Sequence, residues 1–291
     1  MDISVIIPVL NMADTIEEQL QALAAQDFTG DFEILVVDNG STDGTVDVVR
    51  SRSAQDARVR LVDGSSCPLG GAAAKNRGVE QSASNLIAFC DADDVVHSCW
   101  LRLIHDALLV APVVTTTLEN WSLNPHLRTE LVPQHAASYS VYGFTGIPGG
   151  AFGIRRDAYW TIGGFDEHFR GAADSELAVR LGLAGYTVAH LDDAIVSVRL
   201  REGVAANFRR HYRLHRSLMV VRDLHRLGRA SLAVRGRAVV QRIWRLVRAG
   251  KLVFDRAGRQ TWMQRAGEVC SEAVDALRRP TSAAVRPDLE A

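Results

Sequence analysis

The sequence predicts an α/β fold in which helices flank a mostly parallel sheet. Two runs, at 3–8 and 32–37, are almost wholly apolar and do not alternate, which is typical of strands buried on both faces. Each run is followed by a turn-forming segment and then by a helical pattern of apolar residues. Strands that alternate with helices in this way favour a doubly wound arrangement over an all-β or all-α fold.

The first part of the chain contains four such strand and helix units. Strands are predicted near 3–9, 32–38, 58–62 and 86–90, and helices near 14–25, 43–53, 71–83 and 98–110. Asp14 is predicted to cap the first helix, with Glu17 in its first turn. Gly70 and Gly71 are predicted to open the third helix.

The second part is predicted to be irregular before it becomes helical. A strand follows Pro112, and the stretch 120–150 is predicted as an ordered but irregular loop beside a site. The next predicted elements are a strand near 151–154, a helix near 174–184 and a strand near 187–191. From about 205 to 278 the pattern is helical and rich in arginine. We expect an α/β domain over residues 1–204 and a basic helical extension over residues 205–291.

Carboxylates follow two of the predicted strands. Asp91, Asp93 and Asp94 come directly after the strand near 86–90, and Asp38 ends the strand near 32–38. Because the carboxyl ends of parallel strands share one edge of a sheet, these groups are expected to face one ligand there. Carboxylates gathered in this way suit a hard divalent cation through oxygen ligands. The alternative is that such aspartates cap helices and turns, which we favour for Asp43 and Asp94.

Five motifs, in order and spacing, resemble the family 2 glycosyltransferases with a GT-A fold. They cover about the first 200 residues, and agreement among five is far more specific than any one motif. The motifs are Val5-Ile6-Ile7-Pro8, Val36-Val37-Asp38-Asn39-Gly40-Ser41-Thr42-Asp43-Gly44-Thr45, Lys75-Asn76-Arg77-Gly78, Asp91-Ala92-Asp93-Asp94, and Gly163-Gly164-Phe165-Asp166-Glu167 with Asp174-Ser175-Glu176-Leu177.

The resemblance implies a GT-A fold and transfer of a sugar, with inversion, from a nucleotide diphosphate to an acceptor hydroxyl. It implies Mn²⁺ or Mg²⁺ as cofactor at the pair Asp91 and Asp93, with Asp93 as the direct ligand and Asp91 toward the ribose or a metal-bound water. Residues implied at the donor are Pro8, Asp38, Lys75, Asp91, Ala92, Asp93, Arg199 and Arg201. Asp38 favours a uridine nucleotide slightly, because uracil N3–H is a hydrogen-bond donor, although guanine also offers donors.

Asp174 is the implied general base, at a helix start that faces the donor. The chain departs here from the usual Glu-Asp-x-Asp-Leu, since Ala173 replaces the Glu and Glu176 replaces the second Asp. The His that many relatives supply after the strand near 187–198 is also missing. A plain N-cap is the alternative role for Asp174.

Three other functions remain open at this stage. A haloacid-dehalogenase-like phosphatase would use Asp91 as a nucleophile, but it leaves the motifs at 163–177 unexplained. A sugar-nucleotide-binding protein without catalysis would explain the altered base motif. A nucleotidyltransferase is a third possibility. It is disfavoured by the motifs at 163–177, which resemble the acceptor-binding half of the family pattern.

Charge is divided unevenly along the chain. Residues 1–198 hold 26 Asp and Glu against 12 Lys and Arg, whereas residues 199–260 hold 17 Lys and Arg against 3 acids. We expect the basic part to bind phosphate groups. We expect no nucleic-acid partner, and a lipid-linked acceptor is one possibility. The alternation of Arg with apolar residues over 239–254 fits an amphipathic helix, packed on the domain or lying on anionic lipid.

The cysteines and the chain start indicate the compartment. Four cysteines show no paired spacing, and the chain starts directly on a strand without a leader pattern. No stretch of about 18 apolar residues is present. We therefore expect a cytoplasmic protein whose membrane contact, if any, is peripheral.

Overall fold

The computed structural model describes residues 1–68, 70–125, 135–136, 139–169, 171–200, 203–228, 232–254 and 256–277. The chain groups into two compact units. The first comprises residues 1–123 and 134–199, and the second comprises the described parts of 124–133 and 200–291. The predicted division at residue 204 stays a prediction.

The first unit is built from strands and the helices that connect them. Its described strands are β1 (Ile3–Val9), β2 (Phe32–Asp38), β3 (Val59–Asp63), β4 (Leu86–Cys90), β5 (Val95–Val96), β6 (Val113–Glu119), β7 (His135–Ala136), β8 (Ser140–Val141), β9 (Phe144–Thr145), β10 (Ala151–Arg155) and β11 (Val188–Ser197). Its described helices are α1 (Ile16–Ala24), α2 (Thr45–Gln55), α3 (Gly71–Gln81), α4 (Trp100–Leu108), α5 (Arg156–Thr161) and α6 (Ala173–Leu183).

Nine of these strands form one sheet in the order β3-β2-β1-β4-β10-β6-β11-β5, with β7 beside β6. Strands β1 to β4 pair in parallel, and β10 is antiparallel to both of its neighbours. The chain moves from β1 outward to β2 and β3, and then returns to place β4 on the other side of β1. This reversal opens a crevice at the carboxyl ends of β1 and β4, where ligands of open α/β sheets bind.

Burial of the central strands on both faces explains why their sequences do not alternate. On β1, Ile3, Val5 and Ile7 belong to the core on one face, and Ile6 belongs to the core on the other. All seven residues of β2 are buried. The predicted α/β fold with a mostly parallel, helix-flanked sheet is therefore confirmed.

Several local predictions need correction. Helix α1 begins at Ile16 with Thr15 at the cap position, so the predicted cap at Asp14 is wrong. The stretch predicted as an irregular loop contains the β8–β9 hairpin among its described residues. Strand β5 and helix α5 were not predicted, because they are too short for periodicity to reveal.

The second unit is helical, as its sequence pattern predicts. Its described elements are α7 (Val204–Leu224), α8 (Leu232–Arg248), a 3₁₀ helix (Ala249–Phe254) and α9 (Arg256–Leu277). None of the helices in the described part of the chain is long and apolar enough to span a bilayer. The polar tail predicted after residue 278 lies outside the described residues.

Helix α3 approaches β1 so closely at Gly78 that a side chain does not fit there, and a substitution at this position tests the packing. A methyl group on Gly78 would overlap the Ile6 side chain and lie 3.1 Å from Val37 Cγ2. We expect Gly78→Ala to lower the free energy of unfolding by about 1–3 kcal/mol, because the overpacking outweighs the gain in helix propensity. Gly71→Ala, where nothing lies within 4 Å, is the matched control and should be neutral or stabilising. Urea denaturation of both variants checks this, and equal stabilities would contradict the packing argument.

Candidate active site

Two aspartates lie at the carboxyl edge of the parallel strands, as predicted. Asp38 is the last residue of β2 and is in register with Val9 of β1, while Pro8 pairs with Val37. Asp91 follows the last residue of β4, the strand on the other side of β1. The Asp38 carboxylate accepts hydrogen bonds from the Ser41 N–H at 3.1 and 3.3 Å, which fixes the turn after β2. Both aspartates therefore border the crevice at the reversal of strand order.

Asp43 takes the turn role that we favoured for it, although the cap position of α2 is Gly44. Its Oδ1 accepts from the Thr45 N–H at 2.9 Å and its Oδ2 accepts from the Ala13 N–H at 3.1 Å. These bonds hold the pKa of Asp43 below its usual value, with the Thr45 hydroxyl as the largest contribution. Asp43 thus ties the start of α2 to the segment before α1.

A buried glutamine holds the acidic turn at 91–94. Gln19 Nε2 donates to the Asp91 carbonyl at 3.1 Å, and Gln19 Oε1 accepts from the Val96 N–H at 3.1 Å. Gln19 lies in the apolar face of α1, and its side chain is fully buried. Because both ends of its amide are satisfied by backbone groups, it fixes the turn that presents Asp91 and Asp93.

Asp94 is a partner of Arg199, so its predicted role as a cap of the following helix is wrong. The Arg199 N–H donates to Asp94 Oδ1 at 3.0 Å, and Arg199 Nε donates to the Asp93 carbonyl at 3.1 Å. Burial, followed by the charges of Asp91 and Asp93, raises the pKa of Asp94 to about 8. The turn therefore concentrates the negative charges of Asp91 and Asp93, and the Arg199 guanidinium offsets them only in part.

Of the two arginines predicted to bind phosphate, Arg199 is described by the structure and Arg201 is not. Arg199 lies beside the acidic turn, and its guanidinium donates to Glu18 Oε2 at 2.5 Å. Arg201 lies outside the described residues. Ala92 is buried at the centre of the turn, where it packs into the core under the sheet edge.

Lys75 joins the two halves of the predicted site. Its ammonium group lies 3.4 Å from Asp91 Oδ1 and donates to the Gly149 carbonyl at 2.6 Å. The side chain, in the middle of α3, is only 9% exposed. A lysine this buried requires anionic or acceptor groups around it, which distinguishes it from the solvated lysines that are ordinary on helix surfaces.

Asp174 reaches the same place from the other side of Gly149. The Gly149 N–H donates to Asp174 Oδ2 at 3.2 Å, and the Ser175 N–H donates to Oδ1 at 2.7 Å. Asp174 lies in the first turn of α6 and does not cap it, since the cap position is Ala172. Burial raises the pKa of Asp174, while the Ser175 N–H and the Lys75 charge oppose the increase. A carboxylate with a raised pKa is suited to accept a proton near neutral pH.

The segment Gly149–Gly150 was missed by sequence reasoning, as was Gln19. A Cβ on Gly150 would overlap the Asp91 carboxyl group, and one on Gly149 would lie 3.3 Å from Lys75 Nζ and 3.4 Å from Asp174. Residue 150 must therefore be a glycine for the Asp91 carboxyl group to approach this closely, whereas a side chain at 149 would need only small shifts of Lys75 and Asp174. A Pro-Gly-Gly run before a strand and a glutamine in an apolar helical face were the available signals.

The donor set fits a divalent cation that is completed by substrate. Asp91 and Asp93 offer the carboxylate oxygens that Mn²⁺ and Mg²⁺ accept, at the edge of the crevice. Within the described residues, no three His, Cys, Asp or Glu side chains are grouped to hold a metal. Such an ion would therefore take its remaining oxygen ligands from phosphates and water.

Asn76, the neighbour of Lys75, connects α3 to the turn at 163–167. Its Oδ1 accepts from the Tyr159 hydroxyl at 2.5 Å and from the Phe165 N–H at 2.9 Å. Its Nδ2 donates to the Phe165 carbonyl at 3.0 Å and to Glu167 Oε1 at 2.7 Å. The turn at 163–167 is thus held against α3 by a fully satisfied buried amide.

We expect Asn76→Ala to destabilise the protein by at least about 2 kcal/mol, because it removes the four hydrogen bonds of this buried side chain, and only the 3.3 Å bond from the Phe165 N–H to the Tyr159 hydroxyl remains among these groups. Thermal or urea unfolding measures the loss. Arg77→Ala is the control, since Arg77 is the next residue of α3 and pairs with the exposed Glu80 of the same helix, at 3.4 Å. A loss no larger than that of the control would mean that water replaces the amide.

A curated relative and two solved structures resemble the chain. Glycosyltransferase AglE of Haloferax volcanii is 31% identical over 209 residues, which cover 66% of this chain and 65% of AglE. The chain therefore matches a little less than two thirds of that relative's length.

The mannosyltransferase PcManGT from Pyrobaculum calidifontis, in complex with GDP-Man and Mn²⁺, matches with a TM-score of 0.63 at 22% identity, over 95% of this chain and 87% of PcManGT. TarS 1–349 of S. aureus, in complex with UDP, matches with a TM-score of 0.56 at 21% identity, over 77% of this chain and 66% of TarS. At such identities the likeness shows the fold, which is GT-A.

The sequence model of a family described as glycosyl transferase family 2 matches residues 4–163, more than half of the 291 residues. The match covers β1 to β10 and includes the acidic turn, Lys75 and Gly149. The chain therefore belongs to glycosyl transferase family 2.

Proposed function

We propose that the protein is a metal-dependent, inverting glycosyltransferase that moves a sugar from a nucleotide diphosphate to an acceptor hydroxyl. One observation carries the proposal: the Lys75 ammonium group meets Asp91 directly and Asp174 through Gly149. A transfer reaction needs a donor anchor and an acceptor base at one point, and this junction brings candidates for both together.

The donor is proposed to lie in the crevice at the carboxyl ends of β1 and β4. Pro8 and Asp38 would contact the nucleoside, with a uridine nucleotide slightly ahead of a guanosine nucleotide, because the Asp38 carboxylate can accept from uracil N3–H. Lys75 would contact the diphosphate after exchanging the Gly149 carbonyl for a phosphate oxygen. Arg199 and Arg201 are proposed as further phosphate contacts.

Asp91 and Asp93 are the proposed ligands of Mn²⁺ or Mg²⁺. A bound cation of this kind would neutralise charge on the departing diphosphate. The negative charge near Asp94 supports this assignment: burial first, and then the charges of Asp91 and Asp93, raise the pKa of the Asp94 carboxyl group. Inversion is proposed on the resemblance of the motifs to the family pattern.

Asp174 is the proposed general base. Its carboxylate would take the proton of the acceptor hydroxyl while that oxygen forms the new bond to the anomeric carbon. The bond from the anomeric carbon to the diphosphate breaks at the same time, and its electron pair leaves with the nucleotide. Attack opposite the leaving group inverts the anomeric configuration.

The composition of the chain supports a proposal for the class of acceptor and for the compartment. A lipid-linked acceptor is proposed because the carboxy-terminal sequence is strongly basic. The four cysteines are unpaired, which supports the proposed cytoplasmic location, since disulfides are rare in reducing compartments. Membership of the family does not support a phosphatase. Nucleotide binding without turnover is the other alternative, and the two experiments below distinguish it from sugar transfer.

Thermal-shift binding of uridine and guanosine diphosphates, with and without Mn²⁺, tests the donor and metal assignments. We expect a Mn²⁺-dependent increase in Tm that Asp93→Ala removes, because a ligand that binds only the folded state stabilises it more as its concentration exceeds its Kd. Asp47→Asn, at an exposed carboxylate on α2, is the control. An unchanged Mn²⁺-dependent shift in Asp93→Ala would exclude this residue as the metal ligand.

The pH dependence of sugar transfer tests the base. Because burial raises the pKa of Asp174 and Lys75 opposes the increase, activity should rise with pH through that pKa. In Lys75→Met the rising limb should shift to higher pH, since the opposing charge is removed. Asp174→Asn should retain nucleotide binding but lower kcat by roughly 10²–10⁴. Full kcat in Asp174→Asn would assign the proton transfer to another group.

A further inference from the structure

Helix α8 presents an apolar face to solvent. Val240, Ile243, Trp244 and Val247 are spaced as neighbours on one side of a helix. Their exposed fractions are 63%, 43%, 55% and 71%. We call these four residues the α8 apolar face. Phe254, at the end of the 3₁₀ helix that follows, is 90% exposed.

The other side of α8 packs against α9. Arg242 pairs with Glu272, and the Trp262 indole donates to the Leu246 carbonyl at 2.9 Å. Arg242 and Leu246 are positioned about 110–150° around the helix from the centre of the apolar face. These contacts with α9 therefore involve a side of α8 other than the apolar face.

Positive charge borders the α8 apolar face. Arg237 and Arg248 fall next to Trp244 around the helix, and the Arg248 guanidinium lies 3.7 Å from the centre of the Trp244 ring. Both arginines are exposed. Between Asp223 and Asp255 the sequence holds seven Arg and one Lys but neither Asp nor Glu.

We propose that the α8 apolar face docks onto the surface of an anionic lipid bilayer. An exposed face of Trp, Ile and Val bordered by arginines is the pattern of helices that lie in the interface between headgroups and acyl chains. The apolar side chains would leave water, and the arginines would meet lipid phosphates. Two copies of the same basic face would repel each other, which disfavours self-association as the occupant.

Vesicle flotation tests the proposal with the full chain. We expect binding to vesicles of equal parts phosphatidylcholine and phosphatidylglycerol. Binding to pure phosphatidylcholine should be weaker by at least roughly fivefold, because the arginines would face a surface without net negative charge. Val247→Glu should weaken binding to the anionic vesicles by roughly tenfold or more, since it places a charge among the buried side chains. Val240→Glu is a second variant with the same expectation.

Ala238→Glu is the matched control, because Ala238 is exposed but lies on another side of α8. It adds the same charge and should weaken binding far less than Val247→Glu. Equal weakening in Ala238→Glu and Val247→Glu, or equal binding to both kinds of vesicle, would overturn the proposal.

Light scattering without vesicles checks the competing occupant. A dimer that Val247→Glu converts to a monomer, with no vesicle binding by the wild type, would assign the face to a second copy and overturn the proposal. Nucleotide-dependent thermal shifts of Val247→Glu should equal those of the wild type. The docking proposal does not rest on the transferase activity, so either can fail without the other.

Discussion

The ion pair between Lys75 and Asp91 is the constraint on which the candidate site depends. Asp91, Asp93 and Asp94 are gathered at one strand end, and Asp174 approaches them from α6. Carboxylates this close disfavour one another's ionised forms. A buried ammonium group offsets part of that repulsion, and its hydrogen bond to the Gly149 carbonyl brings it near Asp174, whose raised pKa it partly lowers.

The parallel half of the fold could be predicted from the sequence because its signals are local. Continuous apolar runs marked β1 and β2, and turn residues after them marked the starts of helices. The insertion of β10 between β4 and β6 could not be predicted, because strand order depends on pairing between distant segments. Helix caps were the least predictable feature, as Thr15 shows by taking the place expected for Asp14.

The site was predictable where chemistry follows a strand end and unpredictable where it depends on long-range contacts. The motifs identified Asp38, Asp91 and Asp174 as neighbours of one crevice. They did not reveal that Asp94 pairs with Arg199, which is 105 residues away. Gln19 was hidden because a polar residue in an apolar helical face has no local signature of what it binds, and here it binds a backbone carbonyl 72 residues away.

Two consecutive residues of α3 serve different halves of the site. Lys75 faces the acidic turn, while Asn76 holds the turn at 163–167 through four hydrogen bonds. A displacement of that turn would therefore move the ammonium group beside Asp91. Substitutions in the turn at 163–167 are consequently constrained to preserve the pose of α3, because the contacts of Lys75 with Asp91 and Gly149 depend on the position of that helix.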